Sequence, residues 1–398
     1  MSKVNFDEYI ERRGTDSDKW DNYAARFTEQ DARGCVPMWV ADMDFLCPPE
    51  VKEAVCRRAE LGIYGYNIWQ TRGYNEATVY WAKQRYHWDI DEQWIVFTPG
   101  IVPAICNAVV ALTKPGDGVI VQMPVYYPFH KAIEMNGRVL RNNQLIERDG
   151  YYTMDFDGLE ALAREPGNTM MILCSPHNPV GRVWKREELE RVCEICKRNG
   201  VILVSDEIHA DLLMPGTEYV STGSIAKSYE DNIISCFAPS KTFNMAGLQA
   251  SAIVIPNPAL RDAFRANIAK TRLPSMNVFA GVALEAAWKH CEYYAIEVME
   301  YIAANIDRTI EFFRENTPKI KMRRPEGTYL GWVDISGLGL SVAEGERFII
   351  ERAKIAADLG AWFGPGGEKY VRFNFACHRS TLDKALAQLK AAYDREFA

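Results

Sequence analysis

Residues 169–208 read TMMILCSPHNPVGRVWKREELERVCEICKRNGVILVSDEI, and their pattern decides the fold class. TMMILCSP (169–176) and VILVSDEI (201–208) are short apolar runs, and the amphipathic helical pattern REELERVCEICKRNG between them stops at Gly200. Continuous apolar runs, rather than strict alternation, mark strands covered on both faces. A strand, a helix and a second strand in that order imply parallel pairing with a right-handed crossover. The same alternation extends in both directions. Upstream come WIVFTP (94–99) as a strand, VPAICNAVVALT (102–113) as a helix, GVIVQMP (118–124) as a strand, a helix ending at Gly137, and the strand RVLRNN (138–143). Downstream come NIISCFAPS (232–240) and ASAIVIP (250–256). In such sheets ligands bind beyond the carboxyl ends of the strands. The positions that matter are therefore 98–102, 123–127, 174–179, 206–209 and 238–242.

After residue 257 the pattern changes. Helices are predicted over 257–270, 277–290 and 292–315, followed by the strand TYLGWVDI (328–335) and a helix over 342–359. KYVRFNF (369–375) is a strand, and a final helix runs from Ser380. The expected fold is α/β, a large domain with a mostly parallel sheet between helices plus a smaller α+β domain. The expected division is 1–45 as an N-terminal segment packing with the small domain, 46–289 as the large ligand-binding domain and 290–398 as the small C-terminal domain. No repeat, low-complexity tract or long Pro/Ser linker is visible, so the parts are expected to pack tightly.

Composition bounds the function. The 398 residues carry 46 Lys+Arg against 53 Asp+Glu, a net charge of −7, with 48 % hydrophobic and 25 % charged residues. That is the balance of a soluble globular protein. The mild acidity, without a basic stripe, argues against binding nucleic acid through its phosphates. The longest apolar candidate, 101–113, is interrupted by Pro103 and Asn107 and falls short of a membrane span. The start, MSKVNFDEYIERRG, is charged and has no apolar signal-peptide core, so a cytoplasmic location is expected. Ten cysteines are too dilute for a disulfide scaffold. The single CxxC, Cys193 and Cys196, has no second ligand pair for zinc and lies too late in its helix for a redox motif. It is expected to fill a buried helix face, and no metal site is expected.

Three polar residues stand at strand ends in the order Asn178, Asp206 and Lys241, 28 and 35 residues apart. Singly, each has an ordinary role: Asn178 as a turn residue before Pro179, Asp206 as a cap, Lys241 as a solvated loop lysine. Together they meet the needs of pyridoxal 5'-phosphate. That cofactor takes a Lys for its Schiff base, an acid at its ring nitrogen and a donor near its phenolic oxygen.

The blocks SPHNPVGRVW (175–184), VSDEIHADL (204–212), APSKTFNMAGL (238–248) and VRFNFACHRS (371–380) resemble those of fold type I, class I/II pyridoxal-phosphate enzymes. PMWVADMDF (37–45) and GIYGYNIW (62–69) extend the resemblance over nearly the whole chain, and the nearest branch is the cystathionine β-lyase-like carbon–sulfur lyases. The resemblance implies that Lys241 carries the Schiff base and shuttles the Cα proton. Asp206 pairs with the ring nitrogen, and Asn178 donates to the phenolic oxygen. Tyr126 stacks on the ring, with Tyr127 beside it as the other candidate. Ile101 and Val102, following Gly100 at a helix start, hold the phosphate with backbone N–H groups, and Ser240 adds a hydroxyl. Tyr66 reaches the phosphate from the partner subunit of a homodimer with composite active sites. Arg372 grips the substrate α-carboxylate, with a plain salt bridge as its alternative role.

Two positions separate the lyase branch from many class I aminotransferases: Gln249, where those have Arg, and His209, where they have Tyr. Ala238 replaces a small hydroxyl residue, and Lys369 and Tyr370 replace Gly and Phe in a region expected to border the site. The expected activity is cleavage of cystathionine or another cysteine S-conjugate, a small-molecule amino-acid substrate, to a thiol, pyruvate and ammonia. A class I/II aminotransferase is the nearest alternative. A regulatory protein that binds a partner on a retained cofactor scaffold is an alternative of another class.

Overall fold

The computed structural model describes residues 4–23, 27 and 34–397. Its central sheet has seven strands: β1 (Ile95–Thr98), β2 (Gly118–Val121), β3 (Val139–Asn142), β4 (Asn168–Cys174), β5 (Ile202–Asp206), β6 (Ile233–Phe237) and β7 (Ser251–Val254). Their spatial order is β1-β7-β6-β5-β4-β2-β3. The pairs from β6 through β5, β4 and β2 to β3 are all parallel. The helices Ile101–Leu112, Pro128–Glu134 and Arg186–Arg198 lie between successive strands of the chain.

Both faces of the sheet are covered, as the continuous runs require. Met170 and Ile172 of β4 pack on one side with Val121, Val204 and the helix residues Ile105 and Val109. Met171 and Leu173 pack on the other with Leu203, Leu189 and Val192. Cys193 and Cys196 belong to that second layer and are buried and unpaired by disulfide, so the CxxC fills a helix face.

β7 departs from the parallel expectation and runs antiparallel to both β1 and β6. The chain between β6 and β7 carries only the short 3₁₀ turn Ala246–Leu248, not a crossover helix. It therefore returns at the end of the sheet where it left, and that return holds Lys241.

The second sheet contains β8 (Lys321–Met322), β9 (Leu330–Asp334), β10 (Asp358–Leu359) and β11 (Tyr370–Asn374), all antiparallel in the order β8-β9-β11-β10. The long helices Glu292–Asn316 and Arg379–Phe397 pack against each other. The helix expected over 342–359 is shorter. An α-helical Val342–Arg347 passes into a π turn, Phe348–Arg352, and Lys354 takes a left-handed φ of 52°. Ile355 and Ala356 then pair with Val36 and Pro37, and Asp358 pairs with Arg372 across β10 and β11. Neither Gly nor Pro marks that break, because the competing sheet partners lie hundreds of residues away.

Candidate active site

β4, β5 and β6 end at one edge with Cys174, Asp206 and Cys236 in lateral register. Asn178 follows β4, Asp206 closes β5, and Lys241 follows β6. All three line one cavity of about 200 Å³, together with Ile101, Val102, Tyr126, His209 and Ser240. Parallel strands make this convergence, because residues far apart in the chain leave the sheet at the same edge.

Asp206 is 3 % exposed, and one carboxylate oxygen accepts from the Ile208 N–H at 3.1 Å. Burial pushes its pKa up to about 7, with Glu207 adding to the rise and the Ile208 N–H and Lys241 opposing it. Lys241 Nζ donates to the Ala41 carbonyl at 2.5 Å. Burial and, less strongly, Arg372 bring its amine down to about 8, against Asp42 and Asp206. A carboxyl and an amine that both titrate near neutrality in one cavity are suited to proton transfer at physiological pH.

At the opposite wall, Gly100 takes a φ of 128° and starts the helix Ile101–Leu112. The Ala104 N–H donates to the Gly100 carbonyl, so the Ile101 and Val102 amides lie ahead of that first turn of bonding. Such a helix start is an anion site when it faces a cavity. His209 is buried, meets the Tyr329 ring edge-on at 6.1 Å, and has an Nδ1 without a hydrogen-bond partner. Burial, followed by the charges of Lys241 and Arg372, pushes its pKa down to about 3, so its imidazole is neutral.

The family model for aminotransferase class I and II matches residues 34–389. Cystathionine beta-lyase PatB of Bacillus subtilis is 42 % identical over 98 % of this chain and 100 % of its own. Cystalysin of Treponema denticola, whose structure contains pyridoxal 5'-phosphate, superimposes with a TM-score of 0.94 at 39 % identity, covering 98 % of this chain and 99 % of its own. A pyridoxal-phosphate-bound C–S lyase of Staphylococcus hominis gives 0.91 at 32 %, covering 98 % of each. The chain belongs to the aminotransferase class I and II family, in its cystathionine β-lyase-like branch.

The remaining residues that this family resemblance singled out fall into three groups. Tyr126 lines the cavity, whereas Tyr127 turns away and meets the edges of Trp362 and Phe363 at 6.2 and 5.6 Å. Arg372 stands one layer behind the lining, 2 % exposed. Its Nη1 donates to Asn178 Oδ1 at 3.0 Å, and its Nη2 donates to the Trp39 carbonyl at 3.1 Å and to Asp358. The salt bridge is therefore present, and the same bonds orient the guanidinium toward Asn178. Tyr66 lies elsewhere, fully exposed on the surface of the single chain.

One expectation fails. Tyr370 stacks on Trp332 at 5.0 Å and lines a separate cavity with Glu147 and Arg323, and Lys369 is exposed. Neither borders the Asp206–Lys241 cavity. Tyr370 starts β11 on the same face as Arg372 but two residues away along the strand, where it packs on Trp332 instead of reaching the cavity. Ala41, Cys174 and Gln249 also line the cavity. Ala41 lies in the PMWVADMDF block but acts through its backbone, which no residue type announces. Asp358, the partner of Arg372, was hidden inside the expected helix.

Proposed function

We propose that this protein is a pyridoxal-phosphate-dependent carbon–sulfur β-lyase, cleaving cystathionine or another cysteine S-conjugate to a thiol, pyruvate and ammonia. The observation that carries this is the meeting of Asp206, Lys241 and Asn178 with a helix N-terminus in one cavity, in a chain similar to C–S lyases along its whole length. The cavity suits the cofactor chemically. It has a buried carboxylate short of partners, an amine, an anion-binding helix start and an unpartnered buried imidazole nitrogen.

When bound, the cofactor supplies an electron sink for the charge left at the substrate Cα. Lys241 would hold it covalently, Asp206 would keep a proton at its ring nitrogen, Asn178 would donate to its phenolic oxygen, and Tyr126 would cover its ring. The amides of Ile101 and Val102, with the Ser240 hydroxyl, would hold its phosphate. Lys241 Nζ, freed when the substrate amine takes its place, would remove the Cα proton and carry it while the thiolate leaves Cβ. Arg372, fixed behind Asn178 by Asp358 and the Trp39 carbonyl, would hold the α-carboxylate once substrate reaches it and so set the direction of the Cβ–S bond. The neutral His209 adds no positive charge beside Lys241 and Arg372.

The wild-type protein should release pyruvate and thiol from L-cystathionine or an S-alkyl cysteine with no oxo-acid present. It should exchange amino groups between L-aspartate and 2-oxoglutarate poorly. Efficient acceptor-dependent transamination, with no thiol from any cysteine conjugate, would move the protein to the aminotransferases.

We further infer a homodimer with composite sites in the cytoplasm. Leu61, Ile63, Tyr64, Tyr66 and Ile68 expose apolar surface on one short segment, a patch suited to a second copy of the chain. Among the described residues no helix is long and apolar enough to cross a membrane. Mixing Tyr66→Phe chains with Lys241→Ala chains should restore activity, since one mixed site would be intact. No recovery, with Tyr66→Phe alone severely impaired, would refute the composite site.

A further inference from the structure

Residues 39–44 form a strap without regular secondary structure, and its carbonyls are bonded mainly by side chains from elsewhere. Asn374 Nδ2 donates to the carbonyls of Val40 and Asp42 at 2.7 and 2.6 Å. Asn244 Nδ2, three residues beyond Lys241, donates to the Met43 carbonyl at 3.0 Å. The Ala41 carbonyl receives two donors, Lys241 Nζ at 2.5 Å and the Tyr329 hydroxyl at 2.8 Å. Tyr329 is wholly buried, so its hydroxyl is fixed by packing.

The far end of the strap is anchored by charge. Lys19 Nζ reaches Asp44 Oδ2 at 2.8 Å, with side chains 0 % and 1 % exposed. Arg12 binds Asp42 and Asp44 at 2.7 and 2.8 Å, and Trp20 Nε1 donates to Asp44 at 2.8 Å. A buried cluster of this kind is poor at adding net stability but good at fixing one arrangement. What it fixes here is the segment whose carbonyl holds the Lys241 amine.

We propose that the Ala41 carbonyl is the seat of the Lys241 amine whenever that amine is not bonded to a cofactor, and that Tyr329 and the Lys19–Asp44–Arg12 cluster are positioning residues that hold the seat in place. This rests on Lys241 being the cofactor lysine. The amine freed during turnover then has one docking point from which to meet the Cα proton, instead of sweeping the cavity on its flexible stem. The Tyr329 hydroxyl acts on the amine through the Ala41 carbonyl, and Lys19 through the strap that carries it.

The test uses the full-length, cofactor-free protein. Limiting acetic anhydride labels its lysines near neutral pH, and peptide mass spectrometry compares Lys241 with the exposed Lys270. An amine held on a carbonyl must leave it before it attacks, so loosening the seat should raise the rate at which Lys241 is labelled, read against Lys270 in the same digest. Tyr329→Phe, which keeps the ring but frees the Ala41 carbonyl from one of its two donors, should raise that rate by at most about fivefold, the ratio carried by one net hydrogen bond. Lys19→Met should do the same, and Asp44 keeps Arg12 and Trp20, so the chain should still fold. In the loaded enzyme both variants should lose kcat by a similar factor with KM nearly unchanged. A Lys241 rate, relative to Lys270, that is the same in the wild type and in both folded variants would overturn the seat. An unchanged rate in Tyr329→Phe would remove Tyr329 from it, and an unchanged rate in folded Lys19→Met would remove the cluster. Should Lys19→Met fail to fold, Tyr329→Phe decides. Labelling needs neither cofactor nor substrate, so it stands apart from any failure to release pyruvate, which would refute only the lyase activity.

Discussion

Asp206→Asn should stabilise the cofactor-free protein at pH 8 and leave it nearly unchanged near pH 4. The carboxyl titrates at an ordinary 3.8 in the unfolded chain but at about 7 in the fold, chiefly because it is buried. Below pH 3.8 both states hold the proton, and the group is neutral in its effect. As the pH rises from about 4 to 7, the unfolded chain loses its proton while the folded one keeps it, so stability falls. Above 7 the loss is complete. A rise of about three pKa units, at about 1.4 kcal/mol each, amounts to about 4 kcal/mol as an upper figure. An amide does not titrate, so the variant escapes this loss. Urea unfolding of both proteins at pH 4 and pH 8, without cofactor, measures the gap. It should lie under about 1 kcal/mol at pH 4 and approach 4 kcal/mol at pH 8. Equal gaps at the two pH values would show that folding leaves the Asp206 pKa unshifted and would refute the burial effect. Saturating cofactor should reverse the ranking, because a protonated ring nitrogen gives the carboxylate a partner that the amide cannot replace. The loaded variant should also turn over several orders of magnitude more slowly; activity within about threefold of wild type would leave Asp206 as no more than a cap on the Ile208 N–H.

Lys241→Ala should lose at least about a thousandfold in turnover, together with the visible absorbance of lysine-bound cofactor. Near-normal pyruvate release from that variant would sink the cofactor assignment. Arg372→Lys should raise KM and lower kcat together, since an ammonium keeps the charge but cannot span Asn178, Asp358 and the Trp39 carbonyl at once. A change in neither constant would leave Arg372 a structural ion pair.

Much of the sheet was legible because its evidence is local. Continuous runs such as MMILC and ILVSD, short and β-branched or bounded by turn residues, read as strands covered on both faces, and the helix between them carries its own stop at Gly200. The direction of β7 and the break after Arg352 were not legible. The first depends on the route of a loop around Lys241. The second depends on Ile355 and Ala356 finding Val36 and Pro37, a pairing more than three hundred residues apart in the chain.

The candidate site divides in the same way. Asn178, Asp206 and Lys241 are ordinary singly but stand out together, because their spacing follows the strand–helix repeat and the three types meet the needs of one cofactor. The order of polar groups, the family resemblance and the cofactor it implies all come from the chain alone. Tertiary structure decided which of two adjacent tyrosines faces the cavity, that Arg372 is tied to Asp358, and that the Ala41 carbonyl receives the Lys241 amine. The physical reason is that these are long-range contacts made by backbone oxygens or by side chains of ordinary type. A backbone carbonyl has no letter in the sequence, and only the packing of strap, sheet and return loop gives it a partner.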